Sequence, residues 1–459
     1  MNTDPAVVIS LRPEADSSAR SLTPPPPFWE QAAAAFVIIM LTGALIGPVF
    51  APDQGETPVL RLVWLPVYAI ILALIGIRFE RVMRAWPAWL ALLGLIALAY
   101  ASKYWSIDPG VTGRRVIAMA MTGSFALYLG TAFPGERLPR LLMQSALIMA
   151  LGSLVMVFAF PRIGIHQLDN AGLWRGLWYE KNQMGIVMVA GATAAGACLA
   201  AGGSRWKAPA LTLVLTTVLV LATQSKTSLL CLLIGLGLVS AFWTMKRGGP
   251  VFTIVCVWLG IVVAGMGVYV FLTEPASILA ALGKDPSLTG RTHIWDSLMR
   301  RVGERPWTGY GYSAFWGKDS VPAAFVRRET GWLVPSAHNG WIDLLVQLGW
   351  PGAVAVGSLF VTAILVTLTR LGASGAREGY WGIAYLAVFL LLSLSESVLL
   401  SHASLPWTLF LAIFARALSP QAATISTSLA PNPHAAYQTR SRIAAQYAHG
   451  PARRPLLRL

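Results

Sequence analysis

The chain has 459 residues, of which 56% are hydrophobic and only 12% charged, with a formal net charge of +15. Soluble globular chains carry about 25% charged residues, so this composition excludes a soluble globular protein and reads as an integral membrane protein. Its three cysteines, Cys198, Cys231 and Cys256, sit in apolar runs without metal-ligand spacing, and no disulfide framework follows from them.

Residues 1–30 read as a disordered, polar cytoplasmic lead containing Pro24-Pro25-Pro26-Pro27, with no cleavable secretion signal. The membrane domain then runs from 31 to 418. Within it, apolar segments near the length that crosses a bilayer fall at 31–50, 59–77, 85–103, 116–133, 138–160, 183–201, 208–223, 227–244, 250–272, 338–369, 379–399 and 402–418. The expected fold is therefore an all-α polytopic membrane protein with about twelve transmembrane helices. One long loop, 273–337, separates helices 9 and 10. Pro351 is expected to bend or restart the tenth helix.

Loop charges orient this arrangement. With the N-terminus inside, Arg78, Arg81 and Arg84 share an inner loop; so do Arg137 and Arg140, Arg205 and Lys207, Lys246 and Arg247, and Arg370 and Arg377. Every short inner loop is then basic, as the positive-inside rule requires. An even number of spans returns the basic tail, 419–459, to the same side; its Pro, Ala, Ser and Arg content reads as disordered. The net charge thus follows from topology and implies no nucleic-acid partner.

Topology does not require the outer charges: Arg114, Arg115, Arg162, Arg175, Lys181 and Lys226, and in the long loop Lys284, Arg291, Arg300, Arg301, Arg305, Lys318, Arg327 and Arg328. Two readings stand. Long loops translocate regardless of charge, so this is a solvated surface; or it is a site for an anionic substrate such as a phosphate or pyrophosphate, which Arg and Lys bind well.

Three stretches hold the chemistry-bearing residues. In Leu288-Thr289-Gly290-Arg291-Thr292-His293-Ile294-Trp295, Thr289 is expected to cap a helix, with Arg291 and Trp295 on one face at i, i+4 spacing. Pro306-Trp307-Thr308-Gly309-Tyr310-Gly311-Tyr312 reads as a tight turn with aromatic faces. Ser336-Ala337-His338-Asn339-Gly340-Trp341 places an imidazole at the mouth of a membrane segment, and Gly349-Trp350-Pro351-Gly352 follows. Gly349 and Gly352 are expected to let helices pack closely. Glu396 is the one acid deep in an apolar run, either functional or a hydrogen-bonded structural carboxylate. His402 reads as an outer-loop residue, and His166, His293, His434 and His449 carry no assigned role.

His338-Asn339, nine residues, Gly349, two residues, Gly352 resembles the H-[NSQ]-x9-G-x-x-[GTY] motif of the O-antigen ligases. Thr289-Gly290-Arg291, Trp295 and Pro306 to Gly311 resemble the preceding part of a domain shared with O-antigen and exopolysaccharide polymerases. Tyr104 to Pro109, Glu180-Lys181-Asn182-Gln183-Met184-Gly185 and Thr223-Gln224-Ser225-Lys226-Thr227 resemble the same superfamily, with a likeness to its ExoQ-like branch. The resemblance is strong over about 180–352.

This resemblance implies a multi-pass enzyme of the bacterial inner membrane, with its site and long loop facing the periplasm and both termini cytoplasmic. It implies a donor glycan linked through pyrophosphate to undecaprenol, transferred to an acceptor hydroxyl without cofactor or metal. The acceptor is a second lipid-linked glycan in polymerases and lipid A core in ligases; a flippase and chain-length or export components are the accompanying partners. On the matching positions, His338 is the general base or a substrate-binding group, and Arg291 stabilises the leaving pyrophosphate. Lys226 stands where relatives often have Arg, and Lys cannot make a bidentate fork to phosphate. Arg175, Lys181, Asn182, Asn339, Trp295 and Glu396 complete the candidate set for binding or orientation. A transporter of an anionic solute is the alternative from another class; it would show related halves, and no internal repeat is visible. A scaffold for an export complex would not need Arg291 and His338 beside one loop.

Overall fold

A computed structural model describes residues 26–45, 48, 58–167, 170–202, 204–273, 291–370 and 376–419. The lead before 26, the tail beyond 419, and residues 274–290 with Lys284, Thr289 and Gly290 lie outside them. The described residues are helical throughout, apart from turns and one isolated bridge between Ile165 and Trp174.

The order is α1 (Phe28–Leu41), α2 (Pro58–Ile77), α3 (Phe79–Met83), α4 (Trp86–Ala101), α5 (Pro109–Ala132), α6 (Arg137–Ala159), α7 (Pro161–Gly164), α8 (Lys181–Ala200), α9 (Lys207–Thr223), α10 (Lys226–Thr273), α11 (Arg291–Glu304), α12 (Val321–Thr330), α13 (Gly340–Arg370), α14 (Ala376–Ser395) and α15 (Leu405–Leu418). Helices coincide in position with the predicted apolar segments, and α10 spans two of them with a break at Gly249. Among the described residues, five helices are long and apolar enough to cross a membrane: 86–104, 137–159, 181–200, 226–245 and 340–370. The others are shorter apolar helices or, like α5, less apolar ones.

The polar lead ends earlier than expected. Helix α1 starts at Phe28, and Glu30 is fully buried in it. The Arg78 guanidinium donates to both Glu30 carboxylate oxygens, at 2.9 and 2.6 Å, and the Tyr128 hydroxyl donates to one of them at 2.8 Å. A buried carboxylate is tolerable only when paired and hydrogen-bonded in this way.

Helix α8 is the hub of the bundle, packed by α6, α9, α10 and α14. Its small residues allow this. A Cβ on Gly191 would lie 2.4 Å from the Ala146 Cβ, and one on Gly185 would lie 2.2 Å from the Ser228 Oγ. Without small residues the helix backbones could not approach so closely. Gly185 therefore seats the first turn of α8 against the first turn of α10, which brings the two motif segments 180–185 and 223–227 together.

The described part of the long loop is folded. Helices α11 and α12 share a second core with the first turns of α13, built on Ile294, Leu298, Val302, Phe315, Val326 and Val346. Pro351 cannot donate and clashes with the i−4 carbonyl, so α13 breaks at Gly349 (φ 64°, ψ −163°). The loop before α12 takes up the freed groups. Tyr310 N–H donates to Val346 O at 2.8 Å, Gly311 N–H to Gln347 O at 3.0 Å, and Trp350 N–H to Pro306 O at 2.8 Å. A Cβ on Gly349 would meet Pro306 O at 2.5 Å. Gly349 is thus a docking point for the Pro306–Gly311 turn, a correction to the expected role in helix–helix packing. Its dihedrals are essentially glycine-only and cost other residues about 1–3 kcal/mol. Gly349→Ala is expected to lower the midpoint of thermal unfolding in detergent and to increase protease cleavage within 305–320; an unchanged midpoint would refute this role.

Candidate active site

The site forms where α8, α11, α13 and α14 meet. Glu396 follows the last turn of α14, and three of the sequence-predicted residues converge on its carboxylate. Asn182, in the first turn of α8, donates its amide to Oε1 at 3.4 Å. Arg291, the first residue of α11, brings a guanidinium nitrogen within 3.7 Å of Oε1. His338 places Nδ1 3.5 Å from Oε2. These side chains are only partly exposed, at 13% for Glu396, 19% for Arg291 and 25% for His338. The His338 Nδ1 is out of solvent and makes no hydrogen bond among the described residues; the carboxylate across from it is at ionic rather than hydrogen-bonding distance.

Local structure explains each placement. Arg291 also donates to Ser395 O at 2.8 Å, at the C-terminus of α14, where the helix dipole favours a cation. His338 has φ +48°, the left-handed region. Asn339 is the N-cap of α13: its side-chain oxygen accepts from Trp341 N at 3.0 Å and Ile342 N at 3.2 Å. That engagement makes Asn339 the cap of α13 and occupies its side-chain oxygen. Trp341 donates its indole N–H to Ser393 Oγ at 3.1 Å. A Cβ on Gly340 would lie 2.9 Å from Leu399 and 3.1 Å from Ser393 O, so the start of α13 is pressed onto the segment that carries Glu396.

Lys226 is exposed at the start of α10, beyond the left-handed cap at Gln224 that ends α9. Its charge acts on Lys181 at the start of α8. The Lys181 N–H donates to His166 Nε2 at 3.2 Å, so His166, unassigned in the sequence, caps α8. The Gln183 side chain completes a capping box by accepting from Glu180 N–H at 3.4 Å.

Two expected substrate groups have other employment. Arg175 spends its guanidinium on the carbonyls of Ile163 (2.8 Å), Arg162 (3.2 Å) and Tyr179 (3.4 Å). These three bonds organise the loop between α7 and α8. Trp295 donates its indole N–H to Ala337 O at 2.9 Å and packs in the second core.

Four arginines of the long loop are also engaged within the protein. Arg327 donates to Trp316 O (2.8 Å), Val334 O and Gly317 O. Arg300 pairs with Glu329 at 2.6 Å, Arg301 with Glu304, and Arg305 lies over the Tyr310 ring. Within this loop, Arg291 is the arginine that faces Glu396.

The sequence reading missed Asp343. This buried carboxylate accepts from Trp316 Nε1 at 2.6 Å and from Ala337 N at 3.3 Å. An acid inside the first turns of an apolar helix, five residues after the histidine, was the available signal.

His402 lies in the loop from α14 to α15, beside Arg115 of α5. Arginine can only donate, so the contact between Arg115 and His402 Nε2 requires that nitrogen to be unprotonated. Burial, and then the Arg115 charge, push the ring down to about 3 from 6.5. The unfolded chain therefore binds a proton near pH 6.5 that the folded chain refuses. Stability from this group is complete above pH 6.5 and is lost as pH falls from 6.5 toward 3. His402→Gln is expected to flatten the pH dependence of the unfolding midpoint across that window; an identical slope in both proteins would refute it.

Amide, guanidinium and imidazole groups thus gather on one carboxylate beside the folded loop. Residues 211–357 match the O-antigen ligase family model. The match contains Lys226, Arg291, His338 and Asn339 and stops short of Asn182 and Glu396. The chain is also 25% identical to the exopolysaccharide production protein ExoQ of Rhizobium meliloti (strain 1021) over 321 residues, 67% of this chain and 72% of that protein. Both similarities support the O-antigen ligase and polysaccharide polymerase superfamily and an ExoQ-like chain within it. It is a multi-pass membrane protein with a polymerase or ligase function in polysaccharide biosynthesis.

Proposed function

We propose that this protein polymerises exopolysaccharide or O-antigen repeat units, transferring a glycan from an undecaprenyl-pyrophosphate carrier to a hydroxyl of a second carrier-linked glycan. The observation that carries the reading is the convergence of Asn182, Arg291 and His338 on Glu396. In this reading the chain has twelve spans in the inner membrane, both termini are cytoplasmic, and the site and the loop 273–337 face the periplasm. The similarity to an exopolysaccharide production protein favours an exopolysaccharide product over transfer to lipid A core.

Glu396 would accept from the His338 Nδ1–H and so fix the tautomer that leaves Nε2 free to act as a base. Catalytic contacts of this kind are often long without substrate and tighten once it is bound. Nε2 takes the proton of the acceptor hydroxyl as its oxygen attacks the anomeric carbon. The bond from that carbon to the pyrophosphate oxygen breaks, and its electron pair leaves with the carrier, inverting the centre. Arg291, aided by Lys226 and Lys181, stabilises the charge that develops on the pyrophosphate. Guanidinium and ammonium groups take the part a metal plays elsewhere, so transfer is expected to proceed in the presence of chelator.

The O-antigen ligase family match favours a second reading, transfer to lipid A core. Purified protein given a short undecaprenyl-pyrophosphate glycan alone separates the two. Elongated carrier-linked glycan supports the polymerase; product formed only when lipid A core is added refutes it in favour of the ligase.

A further inference from the structure

We propose that Asp343 is the positioning residue for His338, acting through the Ala337 peptide; its catalytic consequence rests on the transfer reaction proposed above. The argument starts from strain. A non-glycine residue in the left-handed region, as His338 is at φ +48°, persists only where the surroundings over-determine it. Those surroundings grip the preceding peptide from both sides. Asp343 Oδ1 accepts from Ala337 N at 3.3 Å, and Trp295 Nε1 donates to Ala337 O at 2.9 Å. Asp343 is itself held by Trp316 Nε1 at 2.6 Å, and Trp316 is packed in the second core. On the other side of His338, Asn339 is fixed as the cap of α13. The imidazole is therefore the unrestrained part of a restrained segment, aimed at Glu396.

Asp343 is buried, and the donors it accepts from are the Trp316 indole and the Ala337 peptide. Its role is geometric, and hydrogen-bond acceptance is what it supplies. Asn keeps an acceptor oxygen of the same reach, whereas Ala removes it and leaves the Trp316 and Ala337 donors unpaired.

Two readouts test this. In the first, Asp343→Ala lowers kcat about 100-fold, the loss expected when a reacting group is displaced by about 1 Å, with KM for the carrier-linked glycan unchanged within a factor of about three. Asp343→Asn restores kcat to within about tenfold of wild type. A conserved kcat in Asp343→Ala refutes the proposal, and so does an Asn variant as poor as the Ala variant. The second readout needs no transfer. Carbethoxylation of His338 by diethyl pyrocarbonate, followed by mass spectrometry in detergent, is expected to be faster in Asp343→Ala and in Trp295→Phe than in wild type, and unchanged in Asp343→Asn. Unchanged labelling in both loosened variants overturns the clamp. If wild-type protein shows no transfer while the labelling pattern holds, the functional reading fails and the clamp stands.

Discussion

Replacing His338 with alanine is expected to lower glycan transfer by about 10²–10⁴-fold, the range contributed by a positioned general base, with membrane abundance at the wild-type level. Abundance should hold because the side chain is not part of either core, and its Nδ1 makes no hydrogen bond whose loss would leave a buried partner unpaired. The variant also relaxes no cap, since Asn339 caps α13 with its own side chain. The pH profile separates a base from a binding group. A base gives a kcat that rises with pH, and the alanine variant loses that dependence. A binding group gives a raised KM with kcat retained. Glu396→Gln extends the test: it keeps a side-chain oxygen within reach of His338 and removes the charge that favours the imidazolium formed during the reaction. Its expected effect is a loss in kcat smaller than that of His338→Ala, and the double variant should be no worse than His338→Ala alone. Full additivity of the two losses would show that the residues act separately and would sink the dyad.

Much of the fold could be read from the chain because membrane helices are written in long apolar runs. The helix ends were less legible. The reading placed the start of the tenth segment at His338, whereas α13 begins at Gly340 because Asn339 supplies the cap. Glu30 was assigned to the lead because an acid near a proline run looks polar; its burial depends on Arg78 and Tyr128, 48 and 98 residues away. The same limit governs the site. His338, Arg291, Asn182 and Glu396 stood out individually by type and context, but their meeting is a long-range fact, spanning 214 residues between Asn182 and Glu396. Among the outer arginines the resemblance singled out Arg291, and spacing alone did not sort the others. The carbonyl partners of Arg175 and Arg327 are seen only in the folded chain. Asp343 was passed over because the histidine beside it drew the chemical argument, and its partners Trp316 and Ala337 reveal its work only in three dimensions.

Arg291 carries the second large effect. Arg291→Ala is expected to reduce transfer by about 10²–10³-fold, the cost of removing one preorganised group that stabilises developing charge, and the loss should fall on kcat more than on KM. The reason is the position of the guanidinium. One nitrogen is tied to Ser395 O at 2.8 Å and another faces Glu396 at 3.7 Å, so the fork is fixed before substrate arrives and needs little reorganisation. Arg291→Lys keeps the charge but cannot hold the Ser395 carbonyl, the Glu396 carboxylate and a phosphate oxygen together, because an ammonium is a point donor on a flexible stem. It should recover only part of the lost rate. Removing Arg291 also leaves Glu396 without its cation, so Arg291→Ala/Glu396→Gln is the needed control. If the double variant regains most of the rate, Arg291 serves to neutralise Glu396; if it stays as slow as Arg291→Ala, the guanidinium acts on the substrate. The proposed mechanism requires the second outcome. It also requires that Lys226→Arg, which adds a second fork beside the first turn of α8, does not fall below wild type in kcat.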